Sequence, residues 1–504
     1  MKKIAYILLF LFGFISCNAQ NNNTITNQKF DKIVQKYFDN HDFIGSVLVA
    51  NNGNILFSKG YGYADIENKT QNTPSTNYFL ASISKLFTVA CISDLKNKGL
   101  LDYSTPLSKY ISDYPNGKNI TIEHLIKHES GIVDVVNERP YVLKKTFTSL
   151  PDLIDEFKNL PLNFSPGERY QYSTSGYILL AFIIEKISGM SYSDYIQKNI
   201  FDKLKMTDSF SVIDTFPYNQ SKGYDKVDGK FLQSEYFNPS QFLGAGNLSS
   251  TPEDMYEWYN GLYKTHKISI DYQSVHFGRI SGWTRTAFLY HEHADYVVII
   301  LSNYGDALVQ ELGSELTDVL WSNIQTQHKL SSFESKKIEG FYDYGDDGVL
   351  SVSERNGSLY AQLSGQPENE IYPISNNEFV WKVVDASVRF ENNNEKLYAI
   401  HSQNGNIIKA PKIQSARLNT PELKNIEGKY DYGNDGILTI RESEGRFWAK
   451  LSDQFEAEIF SISRNEFFWM TVNARIKFEY NTNGETIKVI HYQDGLKTIA
   501  PKIK

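Results

Sequence analysis

The spacing of apolar residues predicts strands and helices in a definite order over 24–327. Apolar residues recur at helical spacing over 30–38, which predicts an amphipathic first helix. Strands are predicted at Gly45–Ala50, Ile55–Phe57, Thr284–Tyr290 and Tyr296–Ser302. Helical patterns occupy the middle of the region, and another covers about 307–324. This order predicts an α+β fold in which the first and last strands share one antiparallel sheet.

The C-terminal third is a repeat with a period of two. Ile338-Glu339-Gly340 recurs as Ile426-Glu427-Gly428, at an offset of 88 residues, and turn signals separate short alternating segments in both copies. Two small all-β antiparallel barrels of about eight strands each fit this pattern, over 334–415 and 422–504. Barrels of this size are filled by their own side chains. The acidic turn Asp343–Gly348 does not match the spacing of a calcium loop.

The N-terminal segment has the features of an export signal. A short basic start precedes the apolar run Ile4–Ile15, which is too short to span a membrane permanently. Phe14–Cys17 resembles a bacterial lipobox, so region 1–17 is predicted to be removed up to Cys17, which becomes lipidated. The alternative is ordinary cleavage after Ala19. We predict an exported protein, periplasmic or anchored in the outer membrane of a Gram-negative bacterium, that touches membrane only through this lipid.

Composition excludes several classes of function. Of the 504 residues, 41% are hydrophobic, which is ample for packed cores. The net charge of −8 argues against nucleic acid as a partner. The two cysteines provide no disulfide framework and no cysteine metal site. Cys91 lies in an apolar run and is predicted to be an inert core thiol. We predict no cofactor and no metal, and a small-molecule or peptide substrate.

Candidate nucleophilic chemistry begins at Ser82. An extended apolar segment runs into a helix at this residue, and Lys85 lies one turn further on the same face. A serine hydroxyl needs an adjacent base, which a partly desolvated lysine supplies, and a helix start favours an oxyanion. A second S-x-x-K, Ser93–Lys96, lies within the helix, where no free amide is available. The alternative for Ser82 is a plain N-cap serine.

Further stretches resemble the β-lactamase-related serine hydrolases of peptidase family S12 type, which include class C β-lactamases, DD-peptidases, D-aminopeptidases and esterases. The matching stretches are Gly60–Asp65, the Ser82 motif, Thr121–Gly131, Tyr170–Leu180, Gly244–Asp254, His276–Gly278 and Val297–Asn303. The resemblance implies a penicillin-binding/β-lactamase-like catalytic domain over 24–327, with Ser82 as nucleophile and Lys85 as base. Two barrels after such a domain resemble the layout of bacterial D-aminopeptidases, in which the barrels restrict substrate access.

The family's Y-x-N motif corresponds to Tyr172-Ser173-Thr174. The resemblance implies that Tyr172 relays a proton between Ser82, Lys85 and the leaving group. Thr174 departs from the pattern, because a hydroxyl lacks the second polar atom of an amide. Substrate orientation by Thr174 is therefore expected to be weaker or different. The alternative is that the tyrosines of this segment merely pack a loop.

The family's K-[TS]-G triplet is absent, and His276-Phe277-Gly278-Arg279 resembles its H-x-G variant. The resemblance implies that Gly278 permits close substrate approach and that the Arg279 backbone N–H is an oxyanion donor. The alternative is a structural histidine. Without lysine and hydroxyl, the site lacks charge-assisted bonds to a carboxylate, each worth roughly 1.5–3 kcal/mol. His291-Glu292-His293 lacks a further ligand at suitable spacing and is predicted to be a solvated turn.

These observations predict an exported serine hydrolase that cleaves amides or esters of small peptide-like substrates through an acyl-enzyme on Ser82. We expect substrates without a nearby free carboxylate, including aminopeptidase-type ones, to be preferred. A β-lactamase or DD-carboxypeptidase is the alternative enzyme. The alternative outside the enzymes is a binding or sensor protein with the penicillin-binding fold that has lost turnover. Thr174, which replaces the asparagine of the family motif, would be the visible sign of that loss.

Overall fold

The structure, a computed structural model, describes residues 26–136, 144–263, 275–327, 336–393, 396–413 and 425–503. The chain divides into two compact units, the first ending at Trp321 and the second beginning at Ser322. Within the described residues, no helix has both the length and the apolar character needed to cross a membrane. The predicted lipidation site Cys17 lies outside the described residues, as do 328–335 and 414–424, so the predicted domain boundaries stay predictions.

The described elements before the barrels are short strands and helices. The strands are β1 (Gly45–Asn51), β2 (Asn54–Tyr61), β3 (Tyr63–Asp65), β4 (Thr70–Gln71), β5 (Tyr78–Phe79), β6 (Phe210–Ser211), β7 (Tyr224–Val227), β8 (Lys230–Gln233), β9 (Leu248–Ser250), β10 (Val275–Ile280), β11 (Thr284–His291) and β12 (Tyr296–Ser302). The α-helices are α1 (26–39), α2 (Ser84–Asn97), α3 (Ile122–Ile126), α4 (Leu150–Asp155), α5 (Thr174–Ser188), α6 (Tyr192–Ile196), α7 (Asp202–Leu204), α8 (Pro252–Trp258) and α9 (Val309–Gln327). Shorter 3-10 or π turns lie at Ala81–Ile83, Leu107–Lys109, Gln197–Phe201, Pro239–Phe242 and Tyr259–Tyr263.

The main sheet joins the two ends of the first unit. Its strand order is β10-β11-β12-β1-β2, and all neighbours are antiparallel. Gly45 of β1 lies opposite Ser302 of β12, so the early hairpin and the late strands pair as the sequence predicted. β12 is paired on both sides, and every one of its residues is buried. The α+β prediction is confirmed.

Helices α2 and α5 contribute many buried side chains to one large hydrophobic cluster. Helix α5 is capped by Ser173, whose side chain accepts a hydrogen bond from the Gly176 N–H, and it ends at Gly189 in the left-handed conformation. Cys91 of α2 is fully buried, as predicted, and burial raises the pKa of its thiol. This packing fixes the starts of α2 and α5, where the candidate site lies.

The second unit contains two eight-stranded antiparallel barrels, as predicted. The first consists of β13 (Gly340–Asp343), β14 (Val349–Arg355), β15 (Ser358–Leu363), β16 (Asn369–Pro373), β17 (Glu378–Trp381), β18 (Ala386–Asn393), β19 (Lys396–Gln403) and β20 (Asn406–Pro411). The second consists of β21 (Gly428–Asp431), β22 (Ile437–Ser443), β23 (Arg446–Leu451), β24 (Ala457–Ser461), β25 (Glu466–Trp469), β26 (Ala474–Tyr480), β27 (Thr486–Gln493) and β28 (Leu496–Ile503). Closure comes from the Tyr342–Lys412 bridge in the first and from β21–β28 pairing in the second.

The barrel interiors are filled by their own side chains. Tyr342 and Tyr430, equivalent positions in the two copies, are fully buried, and each hydroxyl donates to a backbone carbonyl at 2.7 Å. The acidic turn of the first barrel is occupied from within the protein, because the Arg475 guanidinium of the second barrel binds Asp343 and the Gly348 carbonyl. The two repeats therefore share equivalent hydrogen bonds as well as equivalent strands. In the acidic turn of the first barrel, the cationic partner of Asp343 is Arg475.

Candidate active site

Ser82 lies in a 3-10 turn between strand β5 and helix α2, at the junction the sequence predicted. The preceding residue, Ala81, has a φ of 50°, a left-handed conformation that is uncommon for a residue with a Cβ. The Thr286 hydroxyl, on β11, donates to the Leu80 carbonyl at 3.0 Å and so anchors this turn to the sheet. The half-buried Ser82 is thereby held between the sheet and the helix start.

Two side chains converge on the Ser82 hydroxyl. The Tyr172 hydroxyl donates to Ser82 Oγ at 2.8 Å, and Lys85 Nζ approaches the same oxygen at 3.4 Å. Lys85 is only 6% exposed, and its Nζ also donates to the Ala245 carbonyl at 2.8 Å. A hydroxyl with a phenol and an amine beside it can lose its proton to the amine, directly or through the phenol.

Tyr172 is fixed by its neighbours along the chain. The Gln171 N–H donates to the His128 carbonyl at 2.8 Å, and the Ser173 N–H donates to His128 Nδ1 at 3.0 Å. The buried Thr174 begins α5, and its N–H donates to Asp134 Oδ2 at 3.1 Å. Loop packing does not explain this segment, because Tyr172 contacts Ser82 while its neighbour Tyr170 is 61% exposed.

A single cavity of about 880 Å³ is lined by every residue that sequence analysis predicted for catalysis or substrate binding. These residues are Ser82, Lys85, Tyr172, Thr174, His276, Gly278 and Arg279. Apolar side chains, among them Phe242 and Ile280, also line the cavity. The structure thus brings together segments that are far apart in sequence.

Gly278 allows strand β10 to pack closely against the turn that precedes Ser82 and against Thr286 of β11. A Cβ at this position would lie 2.3 Å from the Leu80 carbonyl oxygen and 2.4 Å from Thr286 Oγ1, distances that no side chain tolerates. The glycine therefore lets β10 lie against the turn that holds Ser82, a reason different from the predicted approach of substrate. On the same strand, His276 stacks on Tyr290 at an interplanar angle of 11°.

The cavity is lined by charged side chains of both signs. Lys127 pairs with Glu123 at 2.6 Å, and Arg279 pairs with Asp306 at 2.5 Å on the exposed side of β10. Glu129 and Arg285 also line the cavity, and in the described part of the chain neither side chain has a hydrogen bond or an ion pair. Burial, together with the neighbouring Arg279, lowers the pKa of Arg285.

Sequence reasoning missed several residues of this site and misjudged one. His128, Glu129 and Asp134 lie in or beside the matched Thr121–Gly131 stretch, but no spacing rule showed where their side chains point. His291 was predicted to be solvated and is only 2% exposed, because it packs against Trp321 and its Nδ1 accepts from the Ala294 N–H. The described residues contain no cluster of side chains suited to hold a metal ion.

Residues 30–279 match the family model described as Beta-lactamase. This region therefore belongs to the beta-lactamase-fold family, and at that level the resemblance drawn from the motifs is confirmed. Together, the fold and this match define the class of protein to which residues 30–279 belong, that of the beta-lactamase fold.

Individual relatives and solved structures show how much of the chain is similar to known proteins. The chain is 27% identical over 432 residues to Penicillin-binding protein 4* of Bacillus subtilis, covering 74% of this chain and 94% of the relative. It is 30% identical over 228 residues to Teichoic acid D-alanine hydrolase of Staphylococcus aureus, covering 44% of this chain and 55% of the relative. The solved D-amino acid amidase of Ochrobactrum anthropi SV3 matches 59% of this chain and 99% of its own, with a TM-score of 0.53 and 21% identity.

Proposed function

We propose that the protein hydrolyses amides or esters of small peptide-like substrates through an acyl-enzyme on Ser82. The observation that supports this proposal is the convergence of Tyr172 and Lys85 on Ser82 Oγ, at 2.8 and 3.4 Å. Ser82 Oγ attacks the substrate carbonyl while its proton passes to Lys85, which reacts as the neutral amine, directly or through Tyr172. The Ser82 and Arg279 backbone N–H groups receive the oxyanion, Tyr172 returns the proton to the leaving group, and water releases the acyl group.

Within this reaction class we propose substrates with a free amine near the scissile bond, as in aminopeptidase-type S12 chemistry. Glu129 supports this choice, because its half-buried carboxylate lines the cavity and has no partner among the described residues. A substrate ammonium would supply that partner through a charge-assisted hydrogen bond. One relative is named as a D-alanine hydrolase, which is consistent with an amino acid substrate.

Arg285 is the observation that favours the alternative, a β-lactamase or DD-carboxypeptidase, whose substrates contain a carboxylate. Arg285 lies directly opposite Arg279 in the pairing of β10 with β11. Side chains alternate across a strand, so both arginines project away from the face on which Gly278 meets the Ser82 turn. Asp306 and Glu311 also interact electrostatically with Arg285. Glu129 is therefore the better placed of the two unpaired charges.

Glu129→Gln should lower kcat/KM for an aminoacyl amide by roughly 10- to 100-fold, the loss of one charge-assisted bond. The N-acetylated amide should be hydrolysed equally by both proteins, since it has no ammonium. Steady-state kinetics on this pair of substrates measure the effect. Glu123→Gln is the matched control, because that carboxylate pairs with Lys127. An equal loss on both amides, or a selective loss of penicillin turnover in Arg285→Gln, would favour the alternative.

We propose that the protein is exported and anchored by a lipid on Cys17. The lipobox-like Phe14–Cys17 supports this proposal, and the named relatives include a penicillin-binding protein and a hydrolase acting on teichoic acid. A Gram-negative host is the predicted setting, although these relatives come from Bacillus subtilis and Staphylococcus aureus.

Cys17→Ala should move the protein from the membrane fraction to the soluble fraction, or block its maturation, because the lipid-bearing thiol is gone. Fractionation with mass spectrometry of the mature N-terminus measures this outcome. Wild-type protein that is wholly soluble and begins at Gln20 would show cleavage after Ala19 instead.

A further inference from the structure

His128 contacts both the ring of Tyr172 and the backbone of the residues on either side of it. Its imidazole stacks on the Tyr172 ring, with centroids 4.5 Å apart and an interplanar angle of 27°. Its Nδ1 accepts from the Ser173 N–H at 3.0 Å, and its carbonyl accepts from the Gln171 N–H at 2.8 Å. His128 thus binds the backbone on both sides of Tyr172 as well as the ring between them.

The surroundings of His128 keep its imidazole ring in the neutral protonation state. Burial and the nearby Lys85 ammonium lower the pKa of His128 to about 3, so the ring is neutral at working pH. A neutral ring leaves Nδ1 free to accept the Ser173 N–H, whereas an imidazolium could only donate. The backbone at His128 has a φ of 59°, a left-handed turn, and the side chain lies beside the rings of Tyr172 and Tyr177.

We propose that His128 is a positioning residue, which holds the Tyr172 hydroxyl on Ser82 Oγ. This inference rests on the proposed acyl-enzyme function, in which Tyr172 moves the proton. His128 itself has no described contact with Ser82, so it acts through Tyr172. A phenol displaced by about 1 Å would lose its 2.8 Å hydrogen bond, and misplacement of this size costs roughly 100-fold in rate.

Two substitutions separate the contacts and suit the left-handed backbone. His128→Asn keeps an acceptor near the position of Nδ1 and removes the ring, while His128→Gly removes both; Asn and Gly are the residues that best tolerate positive φ. The probes are a fluorophosphonate, which measures the rate of serine labelling, and p-nitrophenyl acetate, which gives kcat and KM. We expect kcat and the labelling rate to fall roughly 10- to 100-fold in His128→Gly and less in His128→Asn. KM should change less than about twofold, because the ring stacks on Tyr172 and its Nδ1 already accepts from the Ser173 N–H.

A double-mutant cycle with Tyr172→Phe decides whether the effect passes through Tyr172. With the phenol hydroxyl already gone, His128→Asn should leave the labelling rate within about twofold of Tyr172→Phe alone. Multiplying losses, or His128 variants with wild-type rates, would overturn the inference. If His128→Gly does not fold, the asparagine variant and the cycle still decide. Labelling that does not depend on Ser82 or Tyr172 would overturn the proposed function, and the inference with it.

Discussion

Ser82→Ala is expected to abolish covalent labelling by a fluorophosphonate and to lower turnover by roughly 10⁴-fold or more. The structure gives the physical reason. Ser82 Oγ is the oxygen on which Tyr172 and Lys85 converge, so its loss removes the nucleophile together with the acceptor of both contacts. The fold should persist, because the side chain is half-buried and its removal leaves no large cavity. Mass spectrometry of the labelled protein, together with hydrolysis assays, measures the outcome.

Ser93→Ala is the matched control, because Ser93 begins the second S-x-x-K of the chain. Its hydroxyl shares a hydrogen bond with the Tyr103 hydroxyl at 3.0 Å, within helix α2 and away from the cavity lining. We expect wild-type labelling in this variant. Labelling that survives Ser82→Ala would rule out the acyl-enzyme mechanism. Absence of labelling in wild-type protein that binds penicillin would instead support the binding or sensor alternative.

Most of the fold follows from local patterns in the sequence. The strands of the main sheet alternate or are continuously apolar, and Ser82 lies at the strand-to-helix junction that the sequence predicted. Each barrel repeats the same strand order because its turn signals recur at the same offset. Sequence patterns predict an element correctly when the residues that determine it lie within or next to that element.

Contacts between distant segments were beyond these rules. The Ala245 carbonyl is 160 residues from Lys85, and no pattern indicates that it accepts from the ammonium. Gly278 was singled out, but its neighbours Leu80 and Ala81 emerge only when β10 pairs with β11. His291 shows the converse error, since a polar turn sequence concealed a histidine buried by Trp321 of a later helix.

Thr174 illustrates how the structure changes the meaning of a substitution. The sequence showed a lost asparagine amide and suggested weaker substrate orientation. In the structure Thr174 is 5% exposed and its backbone N–H is held by Asp134, so the start of α5 keeps its place without the amide. Tyr172, two residues earlier, still reaches Ser82 at 2.8 Å. Threonine in place of asparagine at position 174 therefore changes the polar groups available to a substrate in the cavity. It does not change the arrangement of Ser82, Lys85 and Tyr172.

Lys85→Met should lower both the labelling rate and turnover by roughly 10²- to 10⁴-fold, the usual contribution of a positioned general base. Methionine is unbranched like lysine and fills similar space at this 6% exposed site, so the loss reports the amine and not a cavity. Rates of fluorophosphonate labelling, with thermal unfolding as a check of the fold, measure the effect.

Lys96→Met makes the same chemical change on the same helix, at the lysine of the second S-x-x-K. There the ammonium lies 3.6 Å from the centre of the Tyr103 ring and takes no part in the cavity. We expect this control to label at the wild-type rate. Equal rates for Lys85→Met and wild type would mean that Tyr172 alone activates Ser82. The Lys85 ammonium would then serve to hold the Ala245 segment beside the nucleophile, through its 2.8 Å bond to that carbonyl.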